Sequence, residues 1–535
     1  MRFRSEPADA SVDGTNLMGV MRFLVLPDEA AQQWPEASSA YITGLDGRVF
    51  ISRVELLGKV LKCTRASSES GKLHVSWPVP DVGRLVLTTT SLPESDQPYL
   101  LPLELARGKI GELRDQSFQW QSAGMMIPSD YHEPMAQAFQ LFSRASIQKG
   151  APEAAARLAQ QALKLACQAG EVLAKSYTHQ RRLSRKASSI HPPALLGCTL
   201  DESIVDKPLR HAFFSTFSAA AVPIEWSRVE PVEGSYQWEP FDKLVDACQR
   251  RRCVVRAGPL IDFSPGGLPV WLAPWAADFL NLQSFVCDFM ETAVSRYAGR
   301  FRMWEVSARG NFGGGLSLTE EQRLAVTARS IEAAQRTDTE AQLFIRVSQP
   351  WGEYQAAGGH RLTPFQFVDA LIRSRIGLTG VNLELAVGYH PGGDLNRDLL
   401  SVSRLIDLWS LLGVQLHATL AFASSALPDP QASPNVRSAQ RSPWRDDWSE
   451  PAQAAWAEAY VSMLMAKPQI TGVFWTHFHD GQPHRFSNAG VVCADGTIKP
   501  LLHALAEQQQ RRPLVEGDPS DSNPMDSDGT WVENG

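Results

Sequence analysis

The sequence predicts an α/β protein in which a closed TIM-type (β/α)8 barrel follows an N-terminal β-sandwich-like domain and a helical connector. Three observations carry that reading. From Ala194 onward, short apolar runs alternate with amphipathic helical stretches, and eight such repeats can be counted. Residues 17–130 instead hold short β-rich runs broken by turn signals. Between them, residues 131–186 are rich in Ala and Leu at helical spacing. At 535 residues the chain is too long for one core, so several domains are expected.

Taken in order, residues 1–16 are polar and expected to be disordered. The runs VMRFLVL, AYITGL, GRVFISRVEL, KLHVSWPV and RLVLTTTSL are separated by PDEA, SSESG, PDVG and PESDQP, the punctuation of a sandwich. AAARLAQQALKLACQAGEVLAKSY reads as part of a helical pair, and the basic QRRLSRK after it as a solvated helix end. The barrel, over 187–512, draws its strands from ALLGCTL, AAVPIEW, CVVRAG, FRMWEVS, AQLFIRVS, GVNLELAV, GVQLHATLAF and ITGVFWTHF. No GxGxxG follows the first strand, which argues against a doubly wound sheet. RGNFGGG lacks phosphate-loop spacing and reads as a βα loop. PDPQASPNVRSAQRSPWRDDWSEP, at 428–451, is either a cover for a cleft or a disordered insertion, and the acidic tail 513–535 is expected to be disordered.

A net charge of −7 carries no nucleic-acid footprint. The seven cysteines are odd in number and show no metal spacing, as expected of free thiols in a reducing compartment. No apolar run reaches about 18 residues, and no secretory signal is recognised, so a cytoplasmic protein without membrane contact is expected. No cofactor or metal is expected. The nearest approach to a metal motif is HxHD with His484, read as hydrogen bonding.

Several segments resemble family 10 glycoside hydrolases, the xylanase family. IEWSRVEPVEGSYQW resembles the family's second strand and loop, YAGRFRMWEVSARG its fourth strand, and LGVQLHATLAF its seventh. TGVFWTHFHDG with GVVCADGTIKPLLHAL resembles the closing strand and helix. The resemblance spans roughly 190–510 and implies hydrolysis of O-glycosyl bonds in a β-linked oligo- or polysaccharide. It also implies two catalytic glutamates, yet those positions hold Arg309 and Leu420. Leucine cannot attack an anomeric carbon, and arginine near its usual pKa cannot shuttle a proton. The family's other strand-end groups are replaced by Ala221, Val222, Gly258 and Ala308.

Other carboxylates are therefore candidates. Strand alternation turns Asn382 and Glu384 inward on one strand and Glu305, Ser307 and Arg309 on another, with Arg256 and Arg346 inward nearby. Glu305 and Glu384 are either catalytic or members of an ionic layer with Arg256 and Arg346. Glu353 and Asp480, on loops, complete the candidate acids. Trp351, Tyr354, Tyr389, Trp475, His477, His479 and His484 join Arg256 and Asn382 as expected sugar contacts. Two functions remain open: a glycoside hydrolase with non-standard carboxylates, or an inactive carbohydrate-binding protein on the same scaffold.

Overall fold

The computed structural model describes residues 19–27, 34–148, 150–188, 194–390, 393–439, 442–445 and 447–510. The segments expected to be disordered, 1–16 and 513–535, lie outside these.

Alternating burial along Gly19–Leu24 (β1) and Lys72–Val79 (β6) places one face of each strand inward. The N-terminal strands are β1, Tyr41–Thr43 (β2), Val49–Phe50 (β3), Ser52–Leu57 (β4), Val60–Arg65 (β5), β6, Gly83–Thr88 (β7) and Tyr99–Leu100 (β8). They form two four-stranded sheets, ordered β4-β5-β1-β8 and β3-β2-β6-β7. Met21, Phe23, Leu61, Leu73, Val75, Trp77 and Leu87 share one core between the sheets.

That unit ends earlier than expected, because Leu101–Ser122 is a helix (α1). Its buried Leu101, Leu105, Leu113 and Trp120 follow helical spacing that Pro102 and two glycines obscure in the sequence. Gly108 is there for contact: a Cβ would meet the Thr88 carbonyl oxygen at 1.9 Å, so the helix lies directly on β7. Ser129–Ile147 (α2) and Pro152–Ser188 (α3) follow, making three connector helices where a pair was read.

The remaining strands are Leu195–Thr199 (β9), Ala219–Val222 (β10), Val254–Ala257 (β11), Ile261–Asp262 (β12), Met303–Ala308 (β13), Gln342–Ser348 (β14), Leu378–Val387 (β15), Tyr389–His390 (β16), Gln415–Phe422 (β17), Arg437–Ser438 (β18) and Ile470–Trp475 (β19). Eight of them pair in parallel in the order β11-β10-β9-β19-β17-β15-β14-β13, and β11 pairs with β13 to close the barrel. Their near-continuous apolar runs fit strands covered on both faces. Helix starts are fixed locally: Thr319 and Thr363 each form a reciprocal capping box, with Gln322 and Gln366. No described helix is long and apolar enough to cross a membrane.

The second strand is shorter than the sequence indicated. β10 stops at Val222, before Pro223, and Trp226–Val229 is a single helical turn. Trp226 Nε1 donates to Glu230 Oε2 at 2.7 Å, while Glu230 Oε1 accepts from Gly234 N at 2.7 Å. The EPVEG segment is thus a brace for the β10 loop, with Gly234 at φ +75° supplying the left-handed turn.

Candidate active-site cleft

Inside the barrel, polar side chains that alternation turns inward meet in one layer. Asn382 Nδ2 donates to Glu305 Oε2 at 2.7 Å, and Arg346 Nη2 approaches Glu305 Oε1 at 2.6 Å. Arg256 Nε lies 3.6 Å from Glu305 Oε2, and its guanidinium stacks 3.6 Å from the Phe474 ring centroid. Arg256 also reaches Thr419 Oγ1 and His417 Nδ1, both at 3.3 Å. Arg309, at the end of β13 with φ +62°, bonds Glu384 through Nε at 3.0 Å and Nη2, and Asp262 through Nη1 at 2.6 Å. Ser348 Oγ donates to Glu384 as well.

Burial pushes the Glu384 carboxyl up, but Arg309, Arg346 and Arg485 outweigh it and hold the group below the usual carboxylate range. Asp262 is likewise brought down to about 2, burial being overcome by Arg309 and Arg485. Glu305 and Glu384 therefore sit in the ionic layer, with Arg309 as a third cation beyond the two anticipated.

A cleft of about 460 Å³ opens above this layer, lined by residues that follow β9 to β14 and β19. It lies at the C-terminal ends of the strands, the end that carries the sites of such barrels. Of the expected contacts, His477, His479 and His484 line it, together with Arg309. Glu305, Glu353, Glu384, Asp480, Arg256, Trp351, Tyr354, Asn382, Tyr389 and Trp475 are not among its lining residues.

Each of those has another setting. Glu353 accepts from Arg397 Nη2 at 2.6 Å, and Arg397 also donates to Tyr41 OH at 2.8 Å, so this loop faces the N-terminal sheets. The Arg397 guanidinium covers the Trp351 ring, 4.5 Å from its centroid. Tyr354 OH meets Asn311 Nδ2 at 3.1 Å. Tyr389 OH donates to Ser487 O at 2.9 Å, and Trp475 Nε1 to Ala489 O at 2.6 Å. Asp480 binds Lys499 Nζ at 2.5 Å and His477 Nε2 at 2.9 Å. The 428–451 segment packs on the N-terminal unit, where Arg84 N donates to Pro443 O at 2.9 Å; Ser433 is its one residue on the cleft lining.

His477, Asp480 and His484 bring potential ligand atoms within 4.8 Å of one another. The group is already knitted by hydrogen bonds: His484 Nε2 meets Asp429 Oδ2 at 2.9 Å, and Lys499 supplies the charge opposite Asp480. Burial and then His484 lower the His477 pKa to about 4, so its imidazole is neutral at pH 7.

Leu420 has the most informative position. Leu416, Ala418, Leu420 and Phe422 pack in the core between barrel and helices, whereas His417 and Thr419 bond within the barrel. Ala421 packs with Ala386, Tyr389 and Phe486 in a separate apolar cluster. Leu420, where the resemblance places the family's nucleophile, thus lies on the helix-facing side of β17.

Four acids on the cleft lining were not read from the sequence: Asp201, Glu202, Glu225 and Asp262. Glu225, between Pro223 and Trp226, is half-buried, and among the described residues no ion pair or side-chain hydrogen bond engages it. Burial raises its pKa, only partly offset by Arg228. Asp262, at the end of the extra strand β12, is the ionised counterpart. Pro223 was the signal, since it ends β10 and puts Glu225 at the mouth. Asp201 also lines the cleft; burial raises its pKa against the hydrogen bonds from Ser203.

Residues 206–309 match the model of glycosyl hydrolase family 10. An endo-1,4-beta-xylanase 1 from Gibberella zeae is 28% identical over 83 residues, 16% of this chain and 23% of that protein, so the chain matches about a quarter of that relative's length. Among solved structures, xylanase 10B from Thermotoga maritima is similar with 15% identity, covering 62% of this chain and 98% of its own, at a TM-score of 0.46. A GH10 endoxylanase from a sugarcane soil metagenome covers 59% of this chain and 97% of its own, with 16% identity and a TM-score of 0.45.

Proposed function

We propose, from the premise that this chain is a TIM-barrel protein of the glycosyl hydrolase family 10 type, that it hydrolyses a β-linked oligosaccharide with a relocated carboxyl pair. The observation that carries this reading is the contrast between Glu225 and Asp262. One carboxyl is unpaired and pushed towards its protonated form; the other is held ionised by Arg309. Environments that separate two carboxyl pKa values in this way divide acid and base roles. In this reading Glu225 gives its proton to the departing glycosidic oxygen as the bond to the anomeric carbon breaks. Asp262 stabilises the positive charge that develops there, and water supplies the new hydroxyl and returns a proton to Glu225.

A second reading, carbohydrate binding without turnover, is favoured by the family positions themselves. Arg309 is bound to two carboxylates and Leu420 faces the helix layer. Aryl xylosides, cellobiosides and xylo-oligosaccharides offered to the whole chain separate the two. Product release by the wild type that Glu225→Gln abolishes supports the first; binding with no product released supports the second. Absence of binding across the set overturns both.

A further inference from the structure

We infer that the sugar taken by this cleft is acidic, and that Arg485 is the fork receiving its carboxylate. The inference rests on the hydrolase reading, because it uses the cleft proposed there.

Besides Arg228, exposed on the lining, four guanidiniums belong to the polar layer and its cleft. Arg256 approaches Glu305, Arg309 holds Glu384 and Asp262, and Arg346 meets Glu305 and Glu384. Arg485 lines the cleft on the loop after β19, and among the described residues no carboxylate lies within ion-pair distance of it. Its Nε is buried without a hydrogen-bond partner, as is Arg346 Nε on the same cleft. Asp262, Glu305 and Glu384 are thus engaged among the other three guanidiniums, which leaves Arg485 without a carboxylate partner. A buried guanidinium nitrogen without a partner is costly, so a ligand anion fits the site electrostatically. Burial and the neighbouring Arg309 lower the Arg485 pKa to about 10, which leaves it cationic at neutral pH.

The cleft lining points the same way. It carries no Trp, Tyr or Phe among the described residues, so the flat faces that usually hold neutral sugars are missing. Arg228 on the same lining is exposed and has Asp201 and Glu202 beside it on the lining, whereas Arg485 is half-buried and has no carboxylate partner. A planar two-oxygen carboxylate matches a guanidinium edge with two parallel N–H donors, a geometry that a hydroxyl cannot reproduce.

The test is calorimetric titration of the full chain in the Glu225→Gln background, whose amide mimics the protonated acid and prevents turnover. Three ligands are compared: a β-1,4-xylo-oligosaccharide bearing a uronic acid, the same chain with its carboxyl reduced to an alcohol, and a sulfated chain. The uronic acid form is expected to bind about tenfold or more tightly than the reduced form, the effect of one charge-assisted contact. Arg485→Gln should remove that preference and leave affinity for the reduced chain unchanged. Arg485→Lys, which keeps charge without the fork, should retain only part of it. Equal binding of acidic and reduced chains, or a preference that survives Arg485→Gln, overturns the inference but leaves the hydrolase reading standing. A sulfated chain binding as well as the uronic acid overturns the carboxylate assignment. No binding by any of the three overturns both.

Discussion

Arg309 lies across Glu384 in a two-pronged contact, Nε to Oε2 at 3.0 Å and Nη2 to Oε1, while its third nitrogen holds Asp262. Arg309 is thus the clamp of a buried carboxylate. Glu384→Gln breaks that clamp and leaves Arg309 short of charge. It should lower stability by about 3–5 kcal/mol in urea unfolding, as breaking a buried pair does. Turnover should survive the change, and its loss would return Glu384 to the mechanism.

Glu225 should behave in the opposite way. Its folded pKa is raised, so the unfolded chain loses this proton first and folding is penalised increasingly as pH rises towards the folded value. Glu225→Gln removes that penalty. The melting temperature should rise at neutral pH and stay unchanged below the ordinary carboxylate range. In the wild type, activity should fall as pH rises through the Glu225 pKa.

Two buried histidines and the half-buried His74 set the acid limit of the fold. His74, between Thr43 and Thr88, is lowered to about 3 by burial and then Arg397; His477 is lowered to about 4; and burial with Arg256 lowers His417 further. Each is neutral when folded, so the unfolded state binds more protons below pH 6.5. Stability should therefore fall from about pH 6.5 to about pH 4, by on the order of a few kcal/mol per histidine. Replacing His477 by Gln should flatten its share of that slope in thermal melts taken across the window.

Glu353 is predicted to act at the junction of the two units. Glu353→Gln weakens the Arg397 contact that also reaches Tyr41. Hydrogen exchange in β2 should accelerate, while ligand affinity in the cleft stays at the wild-type value. A drop in affinity without faster exchange would place Glu353 in the site instead.

All eight barrel strands were legible because strands covered on both faces must be apolar nearly throughout, and helices between them carry a different period. The inward set on β13 and β15 was legible for the same reason, and Glu305, Asn382 and Glu384 do share a layer. Glu225 was hidden because AAVPIEW looks like one strand; Pro223 ends it three residues before Trp226. Trp351 and Tyr354 were correctly placed after β14. No local pattern in the sequence shows that the N-terminal sheets pack against that side of the mouth. Arg485 was overlooked because an arginine without a partner can be identified only after every neighbouring carboxylate has been located.

The lopsided mouth sets a limit on substrate length. Apart from Ser433, cleft-lining groups come from β9 to β14 and β19, while Ala386, Tyr389, Ala421 and Phe486 pack together on the β15 and β17 side, where Asn396 also bonds the N-terminal unit. A trench open at both ends lets a polymer lie across it and be cut mid-chain. Here the β15 and β17 side is packed, so under the hydrolase reading a sugar chain would enter from the β9 to β14 side by its terminus. Under the hydrolase reading, the substrate that fits is a short oligosaccharide or a chain end.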